Sequence, residues 1–410
     1  MLQTLNIIYS SVNGVLLYLI CKNIFKEEKV QKLSLIFITF FSLYWAFFNT
    51  HIYGNIPGLT FALLAVLFTT RYLDNKKFYN LPIIGAFLTI AYLLKSNYEI
   101  FLCSIIITIL LNIINTKKAK DLLGVILVMV FGSKTLIYKI SEKAFGYSLD
   151  TGVPMTAYIY MGISEPDTLA AGWYNSKVEE IYKNSGYNTE EATKITNDLL
   201  KKRIEELKND PEYTVNYFYS KFQTTWLNPT FQTLWCSLPN SLMNEDADYG
   251  TRISSNPLIE DVLCGDIYIK IENLMDLFEN TIFIFAGIGL IFLLAKFDLK
   301  NIILPLTFLG GLLFHLIWET KSIYVIQYFF VLLPVAAFGM YKIFEFIDKI
   351  LDKALYKTVE DNKKVRLGVL IPSIIVILVI LVVATYFVSG NKEERFKEEM
   401  EGVKTALSLT

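Results

Sequence analysis

A short stretch of the chain, residues 315–324, gathers side chains that can carry out chemistry. It holds an imidazole, an indole, a carboxylate, an ammonium and a phenol, contributed by His315, Trp318, Glu319, Lys321 and Tyr324. A carboxylate can accept a proton, and an ammonium can hold an anion as a point charge. The alternative is that these residues form only an aromatic belt and a solvated turn at a membrane surface. We call residues 315–324 the hinge, because two apolar runs flank it.

The composition restricts the class of protein to which the hinge belongs. The chain has 410 residues, of which 53% are hydrophobic and 19% charged, a balance typical of a membrane protein with several spans. Two histidines and four scattered cysteines do not make a metal site of the usual spacing. A net charge of −1 and the lack of a basic stripe give no sign of a nucleic-acid partner.

Ten apolar segments predict an all-α polytopic membrane fold embedded in the lipid bilayer. Their approximate bounds are 4–24, 33–51, 56–73, 80–95, 98–116, 121–140, 278–296, 301–318, 322–346 and 367–388. Lysines fill alternate connections, whereas the turns between them carry few positive charges. By the positive-inside rule, the lysine-rich connections lie in the cytoplasm and the protein is a multi-pass protein of the cell membrane.

This topology divides the chain into four parts. Membrane helices occupy residues 1–140 and 278–390, a large loop domain at 141–277 is extracytoplasmic, and a short charged tail at 391–410 lies outside. Apolar residues at helical spacing predict a helix over residues 176–207 of the loop, and Asp210-Pro211 predicts the start of another that ends at Trp226. Cys236 and Cys264 share this loop and could form a disulfide or remain as thiols.

Polar residues of two further turns fall on the same outer side as the hinge. The turn before the third segment carries Tyr53 and Asn55, and the turn after the fourth carries Lys95, Asn97 and Glu99. Ionisable groups at the edge of the hydrocarbon are costly, so these turns and the hinge form a candidate site. Lysines with an aromatic lining suit the phosphate of a lipid-linked ligand. For Lys95 the alternative is a side chain that snorkels from a helix end.

Six sequence elements resemble, in their order along the chain, those of one group of membrane enzymes. They are residues 5–6 (LN), 53–58 (YGNIPG), 95–97 (KSN), 154–162 with 172–175 (PMTAYIYMG and GWYN), 221–230 (KFQTTWLNPT) and 314–324 (FHLIWETKSIY). The group is the bacterial membrane glycosyltransferases of the GT-C superfamily, related to protein O-mannosyltransferases and often labelled glycosyltransferase family 39. Together the elements cover nearly the whole chain.

The resemblance implies transfer of a sugar from a polyprenyl-phosphate donor to a glycan or protein acceptor outside the cytoplasmic membrane. It implies that a positive side chain near the hinge, Lys321 first among the candidates, holds the donor phosphate. An acidic residue in a first outer loop is expected to act as base, or to position the acceptor or a metal. Dependence on a divalent metal stays open at this point.

The chain departs from the pattern of this group in two places. The first helix and first outer loop, which carry the acidic residue, would precede residue 1, so we expect an enzyme without its amino-terminal piece and without its usual catalytic acid. Asn55 also stands where these proteins often carry Asp. In such a chain, Glu319 and Glu99 are the remaining candidates for a catalytic carboxylate.

Two other classes of membrane protein share parts of this pattern. A cell-surface polysaccharide polymerase or ligase would also have a large outer loop, but we expect arginines in it, and the loop holds only Arg203 and Arg252. A transporter would be expected to show paired broken helices with intramembrane charges and a repeat between its halves, and the sequence shows neither.

Overall fold

The architecture is that of a helical bundle with a helical domain on one end. The computed structural model describes residues 1–116, 134–146, 152–166, 170–234, 257–264, 266–295 and 298–355. All regular secondary structure in these ranges is helical, which confirms the predicted all-α fold class. Segment 367–388, tail 391–410, most of segment 121–140 and Cys236 lie outside the described residues, so the predicted disulfide is not addressed.

The helices follow one another along the chain with short connections. They are α1 (Leu2–Ile24), α2 (Glu28–Phe48), α3 (Asn55–Asn75), α4 (Asn80–Leu94), α5 (Glu99–Thr116), α6 (Lys134–Phe145), α7 (Met155–Gly162), α8 (Lys177–Asn184), α9 (Thr189–Asn209), α10 (Pro211–Trp226), α11 (Pro257–Cys264), α12 (Asp266–Ala295), α13 (Ile303–Ile317) and α14 (Ile326–Leu355).

Among the described residues, six of these helices are long and apolar enough to cross a membrane: α1, α2, α3, α5, α12 and α14. Helices α4 and α13 are apolar but shorter. The chain is therefore a multi-pass membrane protein. Most of the predicted segments fall on these helices, with two shifts. Helix α12 begins at Asp266 and so reaches into the predicted loop domain, and α14 begins only at Ile326 because Ser322–Tyr324 form a 3₁₀ turn.

Helix α14 is the centre of the bundle. Every residue from 325 to 339 is buried, as expected for a helix that is apolar all round and surrounded by others. It packs against α2, α12 and α13. A side chain at Gly339 would collide with the carbonyl of Phe285, and one at Gly289 with the carbonyl of Val335. The two glycines therefore let the backbones of α12 and α14 touch.

Polar side chains tie α1 to the neighbouring helices. The amide of Asn6 donates to the carbonyls of Asn49 (3.3 Å) and His51 (3.1 Å), which follow the end of α2. About two helical turns later, the amide of Asn13 donates to the carbonyl of Ile56 at 3.1 Å. Asn49 and His51 lie just past the C-terminal end of α2, where carbonyls lack partners within the helix, so the amide of Asn6 satisfies them inside the bundle. Asn6, in the first of the six resemblance elements, therefore has a structural role.

The described part of the loop domain contains helices α7 to α11. The helix predicted over residues 176–207 is wrong as a single element, because the chain breaks it into α8 and α9. At the break Gly186 and Tyr187 have φ of +63° and +59°, a conformation that ends a helix. Asn188 then caps α9 by accepting from two backbone N–H groups. The predicted start of α10 is confirmed, since Asp210 caps it and Pro211 is its first residue.

The two ends of the bundle differ in their charged contacts. At the end remote from the hinge, Lys300 pairs with Asp74, and the ammonium of Lys76 donates to the side chain of Asn112 at 2.6 Å. These residues lie at the ends of α3 and α5 and before the start of α13. The loop domain contacts the opposite end, where α10 packs on α13 and on the Ser322–Tyr324 turn.

Candidate functional site

Three turns meet at the end of the bundle that carries the loop domain. The amide of Asn55, at the start of α3, donates to the carbonyl of Ile323 in the hinge at 3.4 Å. The hydroxyl of Tyr98, between α4 and α5, donates to the carbonyl of Asn55. Tyr328, at the start of α14, donates to the carbonyl of Asn97 at 3.0 Å. The turns before α3 and α5 and the hinge therefore form one continuous surface.

Lys95 is held between two aromatic rings of this surface. It lies just past the end of α4 in an extended conformation, which turns its side chain away from the helix axis. Its ammonium lies 3.8 Å from the ring centroid of Tyr53 and 4.7 Å from that of Tyr324, and it donates to the Tyr53 hydroxyl. Burial lowers the pKa of Lys95 to about 8, and the carboxylate of Glu319 opposes this shift. The ring contacts fix a cation at this position.

Glu319 is a buried carboxylate at the centre of the surface. It is 7% exposed, and its Oε1 atom has no hydrogen-bond partner among the described residues. Burial raises the pKa of Glu319 to about 7, and the ammoniums of Lys95, Lys321 and Lys221 act in the opposite direction. Three ammoniums around one carboxylate leave an excess of positive charge. We call these four residues the lysine–glutamate centre.

Lys221 reaches the centre from α10 of the loop domain. It is 1% exposed, and its ammonium donates to the carbonyls of Leu316 (3.0 Å), Trp318 (2.9 Å) and Gly162. Three carbonyls match the three N–H groups of an ammonium. Burial lowers the pKa of Lys221 to about 7, and the Glu319 carboxylate opposes the shift. In the sequence Lys221 stood out only as part of one resemblance element.

Two glycines permit this close approach of loop and hinge. Gly172 has a φ of +71°, and a Cβ there would lie 2.6 Å from the carbonyl oxygen of Gly162 and 2.6 Å from Cε of Lys221. A Cβ on Gly162 would collide with the backbone of Trp318. The Glu319 N–H donates to the carbonyl of Tyr158 at 3.2 Å, and the Thr320 N–H to that of Gly172 at 3.0 Å. Backbone contacts thus fix the hinge against the loop domain.

Aromatic rings line the same region. Trp318 stacks on Tyr158 of α7, with ring centroids 5.7 Å apart and an interplanar angle of 7°, and on Phe314 at 5.1 Å. The ammonium of Lys321 lies 5.7 Å from the ring of Trp173. Tyr158 and Trp173 come from the loop domain and were not among the predicted site residues. Their positions in the PMTAYIYMG and GWYN elements were the only sequence signal.

The other predicted residues lie at the edge of this centre or away from it. His315 does not lie in the connection between α13 and α14, because it is part of α13 itself. Its side chain is 2% exposed and packs against the rings of Phe314 and Tyr328. Asn97 contributes its backbone carbonyl. Glu99 begins α5, and its carboxylate lies in electrostatic range of Cys103.

Within the part of the chain that the structure describes, no group of three His, Cys, Asp or Glu residues lies close enough to hold a metal ion.

Comparison with known proteins addresses the amino-terminal third of the chain. Residues 2–138 match the model of the dolichyl-phosphate-mannose-protein mannosyltransferase family. This range includes α1 to α5 and the turns that carry Tyr53, Asn55 and Lys95. Neither the curated proteins nor the solved structures gave a match. The family match over this third of the chain, together with the bundle of apolar helices, supports a membrane glycosyltransferase of the GT-C superfamily.

Proposed function

We propose that this chain transfers a sugar from a polyprenyl-phosphate carrier to a glycan or protein acceptor at the outer face of the cell membrane. The observation that carries the proposal is the lysine–glutamate centre at one end of the bundle. There Lys221 donates to the carbonyl of Trp318, Lys95 lies against the ring of Tyr324, and both ammoniums and that of Lys321 act on the buried carboxylate of Glu319. A lipid-linked phosphate is an anion that lies at the membrane surface, so a cationic centre at the end of membrane helices suits it.

The donor phosphate is bound in this proposal by Lys95 and Lys321. Both side chains are half-buried, and both ammoniums lie near aromatic rings, those of Tyr53 and Tyr324 for Lys95 and that of Trp173 for Lys321. Lys221 acts differently, because its ammonium already donates to three carbonyls. Below its pKa of about 7, its ammonium adds positive charge behind the phosphate site.

The proposed transfer has a balanced course. The acceptor oxygen forms a bond to the anomeric carbon of the donor while the bond from that carbon to the phosphate oxygen breaks, and the electron pair leaves with the phosphate. The ammoniums stabilise the departing charge. Glu319 accepts the proton of the acceptor hydroxyl, and its pKa of about 7 suits a general base near neutral pH. We assign the role to Glu319 rather than to Glu99, because the three lysines of the centre act on the Glu319 carboxylate.

The orientation in the membrane is part of the proposal. The end that carries Lys76 and Lys300 faces the cytoplasm by the positive-inside rule. The opposite end, with the centre and the loop domain at 141–277, then faces outward, where acceptors of the cell envelope are found. The contact of α10 with the hinge supports a loop domain that covers the site.

Binding of the lipid phosphate tests this proposal directly. We would incorporate the full chain in lipid nanodiscs and compare polyprenyl phosphate with polyprenol of the same length by native mass spectrometry. We expect preference for the phosphate and a loss of about tenfold or more for Lys95→Gln and Lys321→Gln, because each removes a charged contact. Lys202→Gln, at an exposed position of α9, is the matched control and should bind as the wild type.

Two results would overturn the phosphate assignment. One is equal binding of polyprenol and polyprenyl phosphate by the wild type. The other is unchanged phosphate binding in both Lys95→Gln and Lys321→Gln, with Lys202→Gln as the reference for each.

A further inference from the structure

A cavity lies in the loop domain, outside the lysine–glutamate centre. It is an open cleft of about 500 Å³ between the segment that follows α7 and the helices α9 and α10. Its lining is mostly polar and includes Tyr160, Ser164, Glu165, Arg203, Glu206 and Tyr213. None of these residues belongs to the phosphate site proposed above.

The polar groups of the cleft are fixed by a chain of hydrogen bonds. Nε of Arg203 donates to the carbonyl of Ile163 at 2.8 Å, and its two terminal nitrogens donate to the Tyr213 hydroxyl at 2.7 Å and to a carboxylate oxygen of Glu206 at 3.1 Å. The Tyr213 hydroxyl in turn donates to Glu165 at 2.7 Å. The guanidinium is also stacked over the Tyr213 ring, 5.2 Å from its centroid. The cleft is therefore preorganised before any ligand enters.

The charges of the cleft differ in sign from those of the hinge. Two carboxylates, Glu165 and Glu206, face one guanidinium, whose donors are engaged within the cleft. This surplus of negative charge disfavours a phosphate. Carboxylate oxygens and tyrosine hydroxyls instead accept hydrogen bonds from hydroxyl groups, and tyrosine rings pack against the apolar faces of a ring-shaped ligand. A neutral, hydroxyl-rich ligand satisfies both requirements.

The cleft and the hinge share one segment of backbone. Tyr158 accepts the N–H of Glu319 and stacks on Trp318, while Tyr160, two residues later, lines the cleft. The hydroxyl of Tyr217 lies within hydrogen-bond distance of the carbonyls of Gly162 (3.0 Å) and Ser164 (3.1 Å), to which it can donate. This contact holds the segment in place.

We propose that this cleft binds neutral sugar residues of the acceptor, which makes the acceptor a glycan. The proposal rests on the transferase function proposed above, and it assigns the sugars of the acceptor to the cleft and the phosphate of the donor to the hinge lysines. The opposite charges of the two sites keep the two substrates apart.

Saturation-transfer NMR on the full chain in nanodiscs tests the cleft. The probes are the methyl glycosides of glucose, galactose and N-acetylglucosamine, with glucose 1-phosphate as the anionic comparison. We expect at least one methyl glycoside to bind more strongly than glucose 1-phosphate. Glu206→Gln and Tyr213→Phe each remove one hydrogen-bonding group from the lining and should weaken that binding about threefold to tenfold. Glu205→Gln is the matched control, since it removes the same charge at an exposed position of α9 outside the cleft.

The outcomes separate this proposal from the donor assignment. Equal binding by wild type, Glu206→Gln and Tyr213→Phe, stronger binding of glucose 1-phosphate than of every methyl glycoside, or no binding of any methyl glycoside would each overturn the cleft proposal. Polyprenyl phosphate binding is measured on the same samples and should not change in Glu206→Gln. Its absence from the wild type would overturn the donor assignment and leave the result for the cleft standing.

Discussion

Replacement of Lys221 by methionine should release the loop domain from the hinge. The variant keeps much of the side-chain volume and removes the ammonium that donates to the carbonyls of Gly162, Leu316 and Trp318. Gly162 still accepts from the Tyr217 hydroxyl at 3.0 Å, so the part-buried carbonyls of Leu316 and Trp318 lose the donor that Lys221 supplies. Each unsatisfied carbonyl costs about 1–3 kcal/mol, and the removal of a buried charge offsets part of this cost.

A net loss of about 2 kcal/mol in the free energy of opening would speed hydrogen exchange at the hinge about 30-fold. The amides to follow are those of Glu319 and Thr320, which donate to carbonyls of the loop domain. Hydrogen exchange with mass spectrometry on the nanodisc-embedded chain measures the effect, with Lys202→Met as control. Exchange at these amides as slow as in the wild type would refute the view that Lys221 fastens the loop domain to the hinge.

Two further predictions concern Gly172 and the pH dependence of binding and transfer. Gly172→Ala places a Cβ in a left-handed conformation and against Lys221, so it should speed exchange at the same hinge amides, and together with Lys221→Met the effects should not add. Gly186→Ala is its matched control, because Gly186 has a φ of +63° with no atom within 4 Å of the added Cβ; equal hinge exchange in the two variants would contradict the packing argument. The rate of transfer should rise as the pH increases toward about 7, where Glu319 loses its proton. Donor affinity should fall as the pH increases through about 7 to 8, where Lys221 and then Lys95 lose their charges. Lys95→Arg should keep donor affinity to higher pH, and an affinity profile that is the same in Lys95→Arg and the wild type would remove Lys95 from the phosphate site.

Hydrophobic periodicity and local signals were enough to predict the frame of this protein. The apolar segments became helices α1 to α5 and α12 to α14, since twenty or so apolar residues have few other stable conformations in a bilayer. The Asp210-Pro211 pair predicted the start of α10 because capping is a local interaction. The distribution of lysines among the connections predicted that Tyr53, Lys95 and the hinge lie on one side of the membrane. In the structure, Tyr53, Lys95 and Tyr324 are in contact.

Other parts of the site depend on contacts between distant segments and could not be predicted in the same way. Lys221 looks like any lysine of an amphipathic helix until α10 is placed against the hinge, where it becomes buried. Gly162 and Gly172 are required because other groups pack directly against them: the backbone of Trp318 against Gly162, and the side chain of Lys221 against Gly172. The single helix predicted over residues 176–207 failed because the local turn at Gly186 and Tyr187 outweighs the apolar spacing around it.

The most direct test of the central claim is the turnover of Glu319→Gln. The full chain in nanodiscs is given a panel of polyprenyl-phosphate-linked hexoses with methyl glycosides as acceptors, and release of polyprenyl phosphate is measured beside its binding. We predict that Glu319→Gln binds polyprenyl phosphate at least as well as the wild type, since the substitution removes a negative charge from the centre. The variant should form polyprenyl phosphate from the sugar donor at least about 100-fold more slowly, the usual effect of losing a general base. Release by Glu319→Gln at the wild-type rate, or no release by the wild type with any donor of the panel, would contradict the account.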